Sequence, residues 1–193
     1  MVSRETPDGG PEIIGLVRRA VEGDVKAYGT LYSYYVDRIY RYVYYQVGNK
    51  TMAEDITEEV FVKGLKSIRT CRGKEKTFSA WLYKIASNHV IDMRRRHHKH
   101  ISFDKCEDIT FVTEINPMQE AEDSFERQRV MEAVSSLPKA QRNIILLKFF
   151  DEVENVEISR ITGKREGAIR ALQMRALSNL RKKLKGRVER DEK

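Results

Sequence analysis

A chain of 193 residues, 40% apolar and 34% charged, with 11 glycines and 4 prolines, is long enough for one large or two small domains with cores of their own. This composition argues against collagen-like, low-complexity and mini-protein classes. The formal charge of +7 is unevenly spread: residues 1–97 carry 17 basic and 12 acidic side chains, residues 98–125 carry 2 and 7, and residues 126–193 carry 17 and 10.

Two basic blocks therefore flank an acidic connector. Basic domains attract polyanions through counterion release, which makes nucleic acid the leading partner, although a merely solvated surface has the same charge pattern. The longest apolar runs, Tyr42 to Tyr45 and Ile144 to Leu147, hold four residues each, far short of the roughly 20 that a membrane-spanning helix requires. The opening MVSRETPDGGPE lacks the basic-then-apolar order of a secretory signal, so a cytoplasmic location without membrane insertion is expected. Cys71 and Cys106 have no Cys-x-x-Cys partner, which fits unpaired, reduced thiols.

In chain order, Tyr28, Leu31, Tyr32, Tyr35, Ile39, Tyr42 and Val43 keep the three-and-four spacing of one helix face, so a long helix is predicted over Val25 to Val47. Eight of the nine tyrosines lie between Tyr28 and Tyr45 and read as a packed aromatic stripe. Asn49 to Thr51 breaks the pattern, and Ile56, Val60, Phe61, Leu65 and Ile68 resume it in a second helix over Ala53 to Ile68. Arg69 to Thr77 is polar and contains Gly73, so it reads as a loop. Phe78, Trp81, Leu82, Ile85, Val90 and Met93 then line a third helix ending in Arg94, Arg95 and Arg96, with Trp81 in the core. Residues 98–125 lack a clean period and read as a partly extended acidic linker.

Phe125 to Ser136 is amphipathic. Leu137-Pro138 starts a further element with proline in the first helical turn, and Ala140 to Phe150 is strongly apolar. Asn155 to Thr162 makes a short helix, Gly163 ends it in the left-handed conformation, and Arg165 to Lys185 forms a longer helix. On that last helix Ile169, Leu172, Ala176, Leu177, Leu180 and Leu184 share the inward arc. A short helix, a glycine turn and a basic second helix match the geometry of a major-groove reader. The expected fold is all-α: two small helical domains joined by an extended acidic linker, the second containing a helix-turn-helix.

The stretches GDVKAYGTLYSYYVDRIYRYV, AEDITEEVFVKGLKSI, TFSAWLYKIASNHVIDMRRR, LPKAQRNIILLKFF and ISRITGKREGAIRALQMRALSNLRKKL resemble, in order and spacing, an extracytoplasmic-function sigma factor of the bacterial sigma-70 family. The resemblance covers residues 12–185. It implies a tail over 1–11, a region 2 domain over 12–97 that binds the beta-prime clamp helices of core RNA polymerase and melts the promoter near minus ten, and the linker over 98–125, threading toward the active-site cleft. It also implies a region 4 domain over 126–186 that sits on the beta flap and reads the element near minus 35, a charged tail over 187–193, and an anti-sigma factor as a further partner.

Each implied role has a physical counterpart. Asp55, Glu58 and Glu59 share one helix face, are repelled by DNA and suit basic residues of a protein partner, and they resemble the family's clamp-binding acids. The loop corresponds to the family's pocket for a flipped base, and Arg69, Arg72, Lys74, Lys76 and the ring of Phe78 suit a single strand. Asn88 can read base edges while Arg94, Arg95 and Arg96 hold phosphates near minus ten; Asp92 is given no base. On the recognition helix Arg165, Glu166, Arg170, Ala171 and Met174 face the groove, flanked by Lys164 and Arg175. Two positions depart from the family pattern: Arg165 stands where serine is frequent, and Gln173 stands where leucine is frequent and needs a hydrogen-bonding partner if buried.

His89, His97, His98 and His100 lack a thiolate or spaced carboxylate to complete a tetrahedral metal set and read as extending the basic patch. With no phosphate-binding glycine loop or nucleophile motif, no enzymatic activity, catalytic residue, metal or cofactor is expected. A stand-alone helix-turn-helix regulator is the alternative, and stoichiometric co-purification with core polymerase separates the two.

Overall fold

The computed structural model describes residues 10–100 and 129–191, and in both stretches every regular element is helical. Helix α1 spans Pro11–Val21, with Pro11 in its first turn, where its missing N–H costs nothing. The composition of the amino-terminal segment had concealed this helix, whose Ile13, Val17, Ala20 and Val21 are buried. Helix α2 follows at Val25–Val47. Its N-cap, Asp24, accepts a hydrogen bond from the Ala27 N–H and another from the Arg19 guanidinium. Those two donors, the backbone amide first, hold the Asp24 carboxyl below the usual aspartate range.

Gly48 ends α2 with φ 74°, and Asn49 caps α3 (Lys50–Ser67) by accepting from the Met52 N–H. The predicted break at 49–51 is thus a two-residue corner, one residue leaving a helix and the next starting another. The predicted loop carries two short 3₁₀ turns, Ile68–Cys71 and Glu75–Thr77. Helix α4 runs from Phe78 to His100, three residues into the expected linker; the rest of that linker, 101–125, lies outside the described residues.

In the second half, a helix over 129–135 (α5) leads to Pro138, which is the N-cap of α6 (Lys139–Ile145) rather than within its first turn. A π-helical turn, Leu146–Phe150, continues the apolar run. Helix α7 spans Asn155–Thr162, Gly163 turns the chain with φ 70°, and α8 spans Glu166–Asp191, beyond the predicted end.

Helix α2 packs against α1 and α3, and α3 against α4. Tyr35 and Tyr42 are fully buried, so most of the tyrosine stripe is core, although Tyr32 and Tyr34 keep part of their surface exposed. Tyr28 Oη donates to the Phe61 carbonyl at 2.7 Å. Gly64 makes room for that hydroxyl, since a Cβ at 64 would lie 2.5 Å from it. In the second half Ile144 to Leu147, Ile158, Ile161, Ile169 and Ala176 form the core.

The halves are in contact. Helix α7 packs on α4 and α6 on α2, and a continuous buried cluster joins them. Polar groups cross the seam: Tyr42 Oη and Gln46 Nε2 both donate to Asn143 Oδ1, at 2.7 and 3.1 Å. Arg38 Nη2 donates to the Asp151 carbonyl at 2.8 Å, and Lys84 Nζ to the Ile161 carbonyl at 2.7 Å.

Candidate nucleic-acid and polymerase interface

Helix α3 turns Ala53, Ile56, Thr57, Val60 and Phe61 inward. Asp55, Glu58 and Glu59 are thereby forced onto the solvent side, and all three are exposed. Glu59 is also engaged: its Oε2 lies 3.2 Å from Nδ1 of His89 on α4. His89 therefore belongs to the acidic ridge and not to the basic patch expected for it; its other ring nitrogen is buried without a hydrogen-bond partner.

Arg69, Arg72, Lys74 and Lys76 are all exposed, on a loop whose backbone is tightly organised. Gly73 adopts φ 75°, the Lys74 N–H donates to the Cys71 carbonyl at 2.8 Å, and Thr77 Oγ1 donates to the Lys74 carbonyl at 3.0 Å. Glu75 folds back to accept from the Gly73 N–H at 2.9 Å. Backbone amides of Glu75 and Gly73, aided by Arg18, hold its carboxyl below the usual range. The loop borders an open cavity of about 550 Å³ lined by Ile14, Arg18, residues 73–77 and Arg160.

Phe78 does not fit its expected role. It is 1% exposed, with its ring centroid 5.5 Å from Tyr35 and 5.6 Å from Trp81, so no face is open to a base. Burial at the first turn of α4 anchors the loop to the core instead. Farther along α4, Asn88 and Arg95 are exposed; the side chains of Arg94 and Arg96 lie outside the described residues.

The turn before α8 is built from side chains as well as glycine. The Gly163 N–H donates to the Ser159 carbonyl and Ser159 Oγ to the Lys164 carbonyl, at 2.8 and 2.7 Å. Arg165 precedes the helix and its carbonyl accepts from Ala168 and Ile169, so the backbone starts the helix without a hydroxyl cap. Ile169 and Ala176 are buried, with Leu172 and Leu180 packed against the core. This arc turns Lys164, Arg165, Arg170, Ala171, Met174 and Arg175 to solvent, Met174 being 74% exposed. Glu166 is half-buried, and its Oε2 lies 3.3 Å from Arg170 Nη2.

Leu177 corrects the predicted inward arc. It is 45% exposed, because Ala176 takes the inward position and its neighbour is rotated about 100° away. Gln173 has the partner its position demands: Nε2 donates to Asn155 Oδ1 on α7 at 2.9 Å. Sequence reasoning passed over Arg18 and Arg160, which reach the loop's cavity only because α1 and α7 pack beside it; no local pattern marks them.

Residues 31–100 match the family Sigma-70 region 2, and residues 127–180 match Sigma-70, region 4. The chain is 37% identical over 167 residues to the ECF RNA polymerase sigma factor BldN of Streptomyces coelicolor, an alignment covering 86% of this chain and 63% of that protein. It is 30% identical over 178 residues to the ECF RNA polymerase sigma factor SigW of Bacillus subtilis, covering 88% and 95%. Among solved structures, CnrH in complex with the cytosolic domain of CnrY superposes with a TM-score of 0.68 at 19% identity, over 91% of this chain and 98% of that one. The sigma factor RpoE in complex with the anti-sigma factor NepR from Bartonella quintana gives 0.64 at 18%, over 83% and 98%; at these identities the likeness is one of fold. With both sigma regions in order and an alignment spanning nearly all of SigW, the chain belongs to the extracytoplasmic-function sigma factors of the sigma-70 family.

Proposed function

We propose that this chain binds core RNA polymerase and directs promoter recognition, promoter melting and transcription initiation at a specific set of genes. The observation that carries the proposal is the opposite character of two exposed surfaces on one chain. The α3 carboxylates form a ridge that DNA repels, and the α7–α8 turn presents a basic reader helix. A DNA-binding regulator acting alone has no use for the first; a subunit held on a polymerase needs both.

In this reading Asp55, Glu58 and Glu59 contact the beta-prime clamp helices, and region 4 (126–186) rests on the beta flap. Arg69, Arg72, Lys74, Lys76, Asn88 and Arg94 to Arg96 hold the minus-ten strand within region 2 (12–97), without help from Phe78. Lys164, Arg165, Glu166, Arg170, Ala171, Met174 and Arg175 read the minus-35 duplex. Bond formation belongs to the polymerase, so the chain acts without catalytic residues or a cofactor of its own. An anti-sigma factor is the regulatory partner expected of the family, and the cytoplasm, where the polymerase works, is the assigned location. No helix among the described residues is long and apolar enough to cross a membrane.

Run-off transcription from a random promoter library with core polymerase tests the proposal. Enrichment of templates sharing two elements supports it. Absence of polymerase association, with sequence-specific duplex binding retained, would replace it with the stand-alone regulator.

A further inference from the structure

Turned at about 100° per residue, the solvent side of α8 divides into a centre and two edges. Gly167, Ala171, Met174 and Ser178 fall within about 60° of one another, and Arg170 and Arg175 stand about 40° beyond them on either side. All six are exposed. Ile169 and Ala176 are buried on the opposite side, so this sector points away from the core.

The centre is the uncharged part of a basic helix. Gly167 and Ala171 carry nothing beyond a Cβ, and the space around Gly167 is open, so Met174 stands clear of the surface beside it. At 74% it is the most exposed large apolar side chain among the described residues. A thioether offers a weak acceptor at most, which suits neither a phosphate nor a base edge. What such a side chain can do in a major groove is pack against an apolar group, and the apolar group that a base pair presents there is the C5 methyl of thymine. The two flanking arginines supply the attraction to DNA that brings this centre against the groove floor.

We propose that Met174 is a specificity-determining residue of the minus-35 reader, recognising a thymine by its C5 methyl. The inference rests on the reading of α8 as that reader and adds the chemistry at its centre. Helix geometry places the contact. Met174 lies four residues beyond Arg170, about 6 Å of rise. A base-pair step is about 3.4 Å, so the thymine falls within about two base pairs of the pair that Arg170 reads. Ala171, between them in sequence and short, leaves room for the methyl.

The test assembles the full chain with core polymerase and titrates it onto a library-selected minus-35 duplex. Each thymine in turn is replaced by deoxyuridine, which keeps the pairing edge and lacks only the methyl. For wild type, one such replacement should weaken binding about three- to fourfold, the value of one buried methyl group. It should lie within two base pairs of the position where Arg170→Ala relaxes base preference. Met174→Leu, still apolar, should remain sensitive to the methyl, and Met174→Ala should bind the thymine and deoxyuridine duplexes equally. Urea unfolding of both variants should match wild type, since so exposed a side chain has little packing to lose. A wild type indifferent to every deoxyuridine, a methyl-sensitive position farther from the Arg170 pair, or an undiminished effect in Met174→Ala overturns the assignment. So does weaker association of Met174→Ala with core polymerase before DNA is added, which makes the side chain a protein contact. Failure of the assembled wild type to prefer any duplex sequence sinks the reading of α8 itself.

Discussion

Replacing Arg170 by alanine separates DNA reading from folding. Arg170 Nη2 lies 3.3 Å from Glu166 Oε2, and the two side chains are 67% and 42% exposed, so this is a solvent-screened pair one helical turn apart. Acid-before-base order at that spacing contributes about 0.3–0.5 kcal/mol, and Arg170→Ala should shift the urea midpoint barely beyond error. In the proposed reading its effect on DNA should be larger. A guanidinium in the major groove can give two hydrogen bonds to guanine, and losing them costs about 1–3 kcal/mol, roughly 5- to 150-fold in affinity, with preference relaxed at one base pair. Glu166 orients that guanidinium, so Glu166→Ala should lower discrimination at the same base pair while leaving folding nearly unchanged. Lys164→Ala should instead weaken all sequences alike and flatten the salt dependence by about one unit. The assay titrates the chain, assembled with core polymerase, onto a minus-35 duplex and its single-base-pair variants across a salt series. Uniform weakening by Arg170→Ala, with every base preference retained, would refute the assignment and leave Arg170 as a backbone contact.

Alanine at Asp55, Glu58 and Glu59 together should weaken association with core polymerase by more than about 2 kcal/mol without loss of helix content; unchanged affinity in a titration rejects the ridge as an interface. Gly64→Ala should destabilise the fold by about 1–3 kcal/mol in urea unfolding, since its Cβ would lie 2.5 Å from the buried Tyr28 hydroxyl that bonds the Phe61 carbonyl. In a Tyr28→Phe background the same substitution should cost clearly less, and additive costs would show that the hydroxyl is not the obstacle. Burial pushes the Cys71 thiol from 9.0 up to about 12, so it should resist iodoacetamide at pH 8 in the folded protein and react on unfolding. Because the folded state keeps the proton longer, this group's stability contribution is intact below about pH 9 and is lost as pH rises from 9 toward 12. Rapid native alkylation would contradict the burial.

Local chemistry was the legible part of the sequence. Gly163 and the break at 49–51 mark helix ends because conformational and capping preferences act within a few residues, and the four-residue apolar run Ile144 to Leu147 could only be core. Gln173 announced that it needed a partner, but the identity of that partner, Asn155, depends on how α7 lies against α8. Phe78 was misread for a related reason. Beside four basic residues an aromatic ring looks available, and only the packing of α4 against α2 brings Tyr35 to it, closing the site that Trp81, one turn along α4, covers from the other side. Leu177 lies one residue off an arc that Ala176 completes. Helix α1 escaped notice because prolines and glycines crowd its start, although its apolar spacing is regular. The loop cavity draws on Arg18 and Arg160, which no window of sequence brings together.

With α8 as the proposed minus-35 reader, the Gln173–Asn155 bond bears on how promoter preference is exchanged between relatives. A leucine at 173 would fix only how closely α8 approaches α7. A donor–acceptor pair also fixes the rotation of α8 about its own axis, because the bond weakens steeply when misaligned. The exposed side chains of α8 are therefore aimed by a residue on its hidden side and by a second one in the preceding helix. Grafting the α8 surface alone onto another sigma factor transfers the alphabet without the angle at which it is held; grafting α7 and α8 as a unit, with Asn155 and Gln173 together, transfers both.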